Sequence, residues 1–192
     1  MKPMQLENIL RADNIDTLIT NYLAIIENFG ASVSQLRGLR MLKALKRETV
    51  NNGPYPKVTL FEAANRIMTD LVILHGVAGL LKNPLFPYTE YMVEFGNEDN
   101  NDFDIQASSG TEALVGEAFN VSPSFFQAKK RLALKKLRHK GVHATHRIVM
   151  FNDDAVLPSY SPKPEDGLYH VFVSVESSSV LVKPDPLKNS LK

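Results

Sequence analysis

The first half of the chain repeats its apolar residues at helical spacing, and the second half alternates like strands. Over 15–29, Leu18, Ile19, Tyr22, Leu23, Ile25 and Ile26 recur every three to four positions and Gly30 ends the run, which predicts a helix. A second helix is predicted over about 34–47, with Leu36, Leu39, Leu42 and Leu45 on one side and Arg37, Arg40, Lys43 and Arg47 beside them. The segment NNGPYPK, residues 51–57, then breaks the chain. Thr59 has the form of a helix cap, with Glu62 three residues on. Ile67, Leu71, Leu74, Val77, Ala78 and Leu81 follow at helical spacing as far as Lys82.

After NPLFP the period changes. Strands are predicted over 88–95, 103–108 and 113–121, with GNEDNND and SSGTE as turns. Ser122 followed by Pro123 opens a helix to about 139, before Gly141. Two further strands, 146–151 and 169–175, flank the proline-rich loop LPSYSPKPEDG. The expected organisation is an N-terminal helical portion (1–57), an α/β core (58–182) and a surface tail (183–192).

Composition narrows the chemistry. A chain of 192 residues is long enough to bury a sizeable core without staples. The absence of cysteine removes disulfides, thiolate metal sites and cysteine nucleophiles, and fits a reducing cytoplasm. No run reaches the roughly 18–20 uninterrupted apolar residues of a membrane span, and the polar, acidic start MKPMQLENILRADNID does not resemble a signal peptide. A soluble cytoplasmic protein with no membrane partner is therefore expected.

The net charge is only +1, but the charges are segregated. Residues 90–104 carry Glu90, Glu94, Glu98, Asp99, Asp102 and Asp104 with no base; residues 129–140 carry Lys129, Lys130, Arg131, Lys135, Lys136, Arg138 and Lys140 with no acid. An acidic pocket beside a basic face suits a divalent metal working on a polyanion, the alternative being two solvated faces of opposite sign. The basic stripe at 37–47 likewise suits successive phosphates of a duplex, or a solvated face beside a core stripe.

Two of the predicted strands carry an acid where an apolar residue is expected, Asp104 and Glu117. Side chains two apart share a face, so Glu117 sides with Val115 and Phe119, and Phe103 and Ile105 point away from Asp104. If the two strands pair, the carboxylates converge. With the carbonyl of Ala118 they form a hard oxygen site suited to Mg²⁺ or Mn²⁺. In the next helix, Phe125, Phe126, Ala128, Leu132, Ala133 and Leu137 predict the face that packs on the sheet. Lys129 falls within that arc, and Lys136 two turns on. A lysine aimed inward snorkels or meets a carboxylate, and for Lys129 the near candidate is Glu117. His139, His143, His146 and His170 fit no closed zinc site without cysteine, and neither a Gly-x-Ser-x-Gly elbow nor a glycine-rich phosphate loop occurs.

Three strands with an aspartate on the second and Glu-x-x on the third, followed by a helix and a strand, resemble the PD-(D/E)xK nuclease superfamily. This is the core of many type II restriction endonucleases, and the likeness covers about residues 59–151. The resemblance makes Asp104 the motif's aspartate, Glu117-Ala118-Phe119 its (D/E)xK, and Glu62 an additional helical acid. Phe103 stands in place of the proline and Phe119 in place of the lysine. Phenylalanine neither polarises a phosphate nor orients a water, so Lys129 is where a displaced lysine would sit. The resemblance implies a restriction-endonuclease-like mixed sheet flanked by helices, and a Mg²⁺-dependent endonuclease, with Mn²⁺ as substitute, acting on double-stranded DNA as a homodimer. Asp104, Glu117 and the Ala118 carbonyl would hold the metal and Lys129 would stabilise charge. Arg37, Arg40, Lys43, Lys130, Arg131 and Lys135 would hold the DNA backbone. Two further readings stay open: an inactive nucleic-acid-binding module on the same core, and a repair or RNA-processing nuclease.

Overall fold

A computed structural model describes residues 7–49, 53–55, 57–96 and 101–189. The helix opened by Thr59, α3 (Leu60–Lys82), is the axis of the fold. Thr59 Oγ1 accepts the Glu62 N–H at 3.2 Å, and the helix is apolar almost all round because it is enclosed. Its length and composition are those of a membrane span, yet most of it is buried inside the protein. Gly76 and Gly79 let it lie close on the sheet: a Cβ there would stand 2.2 Å from Met150 Sδ and 2.3 Å from Val180 Cγ2 respectively.

The sheet beneath α3 runs in chain order: β1 (Ile9–Arg11), β2 (Glu90–Val93), β3 (Ile105–Ser109), β4 (Glu112–Phe119), β5 (His146–Asn152), β6 (Leu168–Ser174) and β7 (Ser179–Lys183). The pairs from β1 to β4 are antiparallel, β4–β5 and β5–β6 parallel, and β6–β7 antiparallel. A parallel step needs a crossover, and α4 (Pro123–Lys140) supplies it between β4 and β5. The sheet is thus mixed and has a helix on each face. Ile105, Leu114, Ala118, Ile148 and Met150 pack toward α3, while Phe119, Val149, Phe151 and Phe172 pack toward α4.

The ends of the chain differ from the expectation. The N-terminal portion is not purely helical, because β1 pairs with β2 and extends the sheet. The first helix, α1 (Ile15–Val33), continues through Gly30, where a glycine costs only about 1 kcal/mol. The second, α2 (Gly38–Arg47), begins later than predicted and buries only Ala44, leaving Leu39, Met41 and Leu42 exposed. Leu10, Ile15, Tyr22 and Phe29 belong to the same core as α3, so this portion is packed into the main body. The segment read as a tail carries the end of β7 and a short helix, α5 (Pro186–Asn189).

Candidate functional site

The β3–β4 register pairs Ile105 with Gly116, which brings the residue before β3, Asp104, beside Glu117. Asp104 sits on a bend rather than in the ladder. Its carbonyl accepts the Glu94 N–H at 2.9 Å, and its Oδ2 accepts the Ala118 N–H at 2.7 Å. The expected alternation fails at this bend. Phe103 and Ile105, expected together on the side away from Asp104, separate: Ile105 packs on the α3 side, and Phe103 turns to the α4 side and joins Phe119 and Phe126.

Glu117 points to the α4 side with Val115 and Phe119, and there it meets a lysine: Lys136 Nζ lies 2.8 Å from Glu117 Oε1. The pair is shielded, the two side chains being 29% and 12% exposed, and the ammonium also lies 5.8 Å from the centre of the Phe103 ring. Strong electrostatic coupling follows from such shielding. No family model, curated protein or solved structure matches the chain.

The lysine beside Glu117 is therefore Lys136, and Lys129 is exposed. The buried side of α4 consists of Phe126, Ala133 and Leu137, flanked by half-buried Lys130, Leu134 and Lys136; Phe125, Ala128 and Leu132 are exposed. Lys129 and Lys136, seven residues apart, share one flank of the helix. At Lys136 the sheet still lies beneath that flank. At Lys129 the chain of β4 has ended, and a cleft opens instead.

Lys130 is also displaced from its expected part. It turns inward, with Nζ 3.2 Å from Tyr160 Oη and above the Phe126 and Tyr160 rings, so it is not an open phosphate contact. Its position was readable in outline, since a residue four after Phe126 lies only about 40° round the helix from it. Arg37 just before α2, Arg40 and Lys43 on α2, and Arg131 and Lys135 on α4 are exposed, as a phosphate-binding role requires.

Glu62 lines the cleft, of about 830 Å³, together with Ala118 and Lys129, and its Oε1 lies 2.6 Å from Arg66 Nη2. It does not complete a three-acid site with Asp104 and Glu117: among the described residues no three histidine, aspartate or glutamate side chains gather where they could hold one metal ion. The donor set of Asp104, Glu117 and the Ala118 carbonyl is oxygen only, which fits a hard divalent cation rather than zinc.

The charges segregated along the chain meet in space. Asp102 lies 2.7 Å from Lys140, whose hydrogen bond holds its carboxyl below the usual range, and Glu90 lies 3.0 Å from Arg11. Glu98 and Asp99 lie outside the described residues. A further acid escaped the sequence reading. Asp70, fully buried on α3, accepts hydrogen bonds from the hydroxyls of Tyr22 and Tyr55 and, at 3.0 Å, from the Gly96 N–H. Burial pushes its carboxyl up to about 6, against the pull of those donors. The one signal for it was an acid inside a stretch of α3 that is apolar on all sides.

Proposed function

We propose that this chain is a metal-dependent DNA endonuclease that hydrolyses phosphodiester bonds, with Asp104 and Glu117 at its centre. The observation that carries the reading is the pairing of strand ends at which Ala118 N–H fixes Asp104 and Lys136 faces Glu117. The order of elements supports it: α3, the antiparallel β2–β3–β4, the crossover α4 and the parallel β5 follow the sequence of elements that the PD-(D/E)xK resemblance implies.

Each residue has a stated part. Asp104, Glu117 and the Ala118 carbonyl would hold a Mg²⁺ or Mn²⁺, which would supply Lewis-acid chemistry toward a phosphate. The Ala118 amide holds the Asp104 carboxylate in one orientation. Lys136 takes the part foreseen for Lys129, setting a positive charge where negative charge develops on the phosphate. Phe119, at the motif's lysine position, is buried against Phe126 and Phe151 and contributes packing only. Arg37, Arg40, Lys43, Arg131 and Lys135 hold backbone phosphates, giving an affinity that falls with salt and does not choose sequence. The restriction-type reading, with its cytoplasmic setting, carries a homodimer with it, because two strands require two centres. Exposed Leu39, Met41 and Leu42 on α2 are apolar surface for that contact.

The test is incubation of closed circular duplex DNA with Mg²⁺ and, separately, with EDTA. Nicked or linear product in Mg²⁺ alone is expected. Salt-sensitive binding without cleavage in either Mg²⁺ or Mn²⁺ contradicts it and favours an inactive binding core, the reading to which Phe119 lends support.

A further inference from the structure

Two phenylalanines stand in the open where a core would bury them. Phe61, in the first turn of α3, is 49% exposed, and Phe125, in the first turn of α4, is 65% exposed. Both line the cleft between those helices, with exposed Leu132 as a third apolar wall. Cations surround them. Lys46 of α2 lies with Nζ 4.6 Å from the centre of the Phe61 ring, and Arg66 and Lys129 line the cleft itself. Among the described residues Glu62 is the one acid of the lining, and it is paired with Arg66. The basic stripe of α2 runs on from Lys46 through exposed Lys43 and Arg40.

Aromatic faces interleaved with cations form the surface that single-stranded nucleic acid meets, the rings stacking on bases and the cations following phosphates. An intact duplex offers only base edges in its grooves, its base faces being covered by their neighbours, so exposed rings gain nothing from it. The volume of about 830 Å³ falls within the roughly 300–1,000 Å³ usual for small-molecule clefts. The cleft borders the centre described above through Ala118, which lines it and whose amide holds Asp104; Asp104, Glu117 and Lys136 lie outside the lining. We infer that this cleft binds an unpaired strand by stacking bases on Phe61 and Phe125, so that the substrate presents a single-stranded or splayed segment beside Asp104 and Glu117. The strand-binding part stands by itself; its delivery of a phosphate to a cutting centre rests on the nuclease reading.

The experiment measures binding in EDTA of a single-stranded DNA oligonucleotide carrying 2-aminopurine, and of the matching duplex. It compares the wild type with Phe61→Ala, Phe125→Ala and Leu181→Ala, the last removing an exposed apolar side chain on β7. Stacking predicts fluorescence quenching in the wild type and a single-strand affinity about five- to hundredfold weaker in Phe61→Ala and Phe125→Ala. Duplex affinity and Leu181→Ala should stay at the wild-type level. Unchanged single-strand affinity in both phenylalanine variants, with no quenching, overturns the inference. So does a wild-type dimer that Phe125→Ala dissociates without affecting quenching, because the cleft is then an interface between copies. Quenching that depends on Phe125 in a protein that never cuts upholds the cleft and removes the nuclease reading. Mg²⁺-dependent cleavage with no dependence on either phenylalanine does the reverse.

Discussion

A carboxylate inside a fold needs a donor or a cation, and the three inner acids find theirs differently: Asp104 in a backbone amide, Glu117 in an ammonium, Asp70 in two hydroxyls and an amide. Asp70 carries a pH dependence. Its folded value of about 6 lies above the ordinary 3.8, so the native state holds the proton more tightly than the unfolded chain does. The stability this contributes is fully present below about pH 4 and is lost as the pH rises through about 6, a change of about 3 kcal/mol. Buried His170, lowered to about 4, acts in the opposite sense over the same range, so only the difference between wild type and Asp70→Asn isolates the effect. Urea unfolding from pH 4 to pH 8 should show the wild type losing stability relative to Asp70→Asn; parallel profiles contradict this. Asp104 and Glu117 were legible in the sequence because each interrupts an apolar alternation. Asp70 was not, since its partners Tyr55, Gly96 and Tyr22 lie 15, 26 and 48 residues away.

At the scale of elements, helical periodicity found α3 and α4 almost to the residue, because both carry caps or a leading proline as well as a stripe. The same periodicity misjudged which lysine turns inward. An arc on a helical projection says which residues share a side, but not where along the axis the underlying sheet stops, and that separates Lys136 from Lys129. Strand β1, three residues long, is too short for alternation to register, and β7 is an edge strand with mixed burial. The closest approach between α3 and the sheet depends on absent side chains. Gly79→Ala gains helix propensity but drives a methyl group into Val180, and a net loss of about 1–3 kcal/mol is expected in thermal or urea unfolding. Unchanged or raised stability contradicts so tight a packing.

For the whole molecule, a mixed sheet with a helix on either face was foreseeable from the change of period near residue 84 and the single helix between strands 3 and 4 of the predicted order. The partition of charge was visible too, but not its outcome. Asp102 and Lys140 neutralise one another across the boundary, so the acidic and basic segments are partners as well as faces. Near the end of β4 the chain places Asp104 on the Ala118 amide and Glu117 against Lys136, and Ala118 also lines a cleft that holds exposed aromatic rings and cations. The most direct measurement is the single-turnover rate of plasmid cleavage in Mg²⁺ by the wild type, Glu117→Gln, Lys136→Met and Lys129→Met, each first shown by its melting transition to be folded. Cleavage by the wild type, slowed about 10²–10³-fold by Glu117→Gln and by Lys136→Met and less than about tenfold by Lys129→Met, is the expected result. A wild type that does not cut, or a folded Glu117→Gln that cuts as fast as the wild type, contradicts the assignment of this centre.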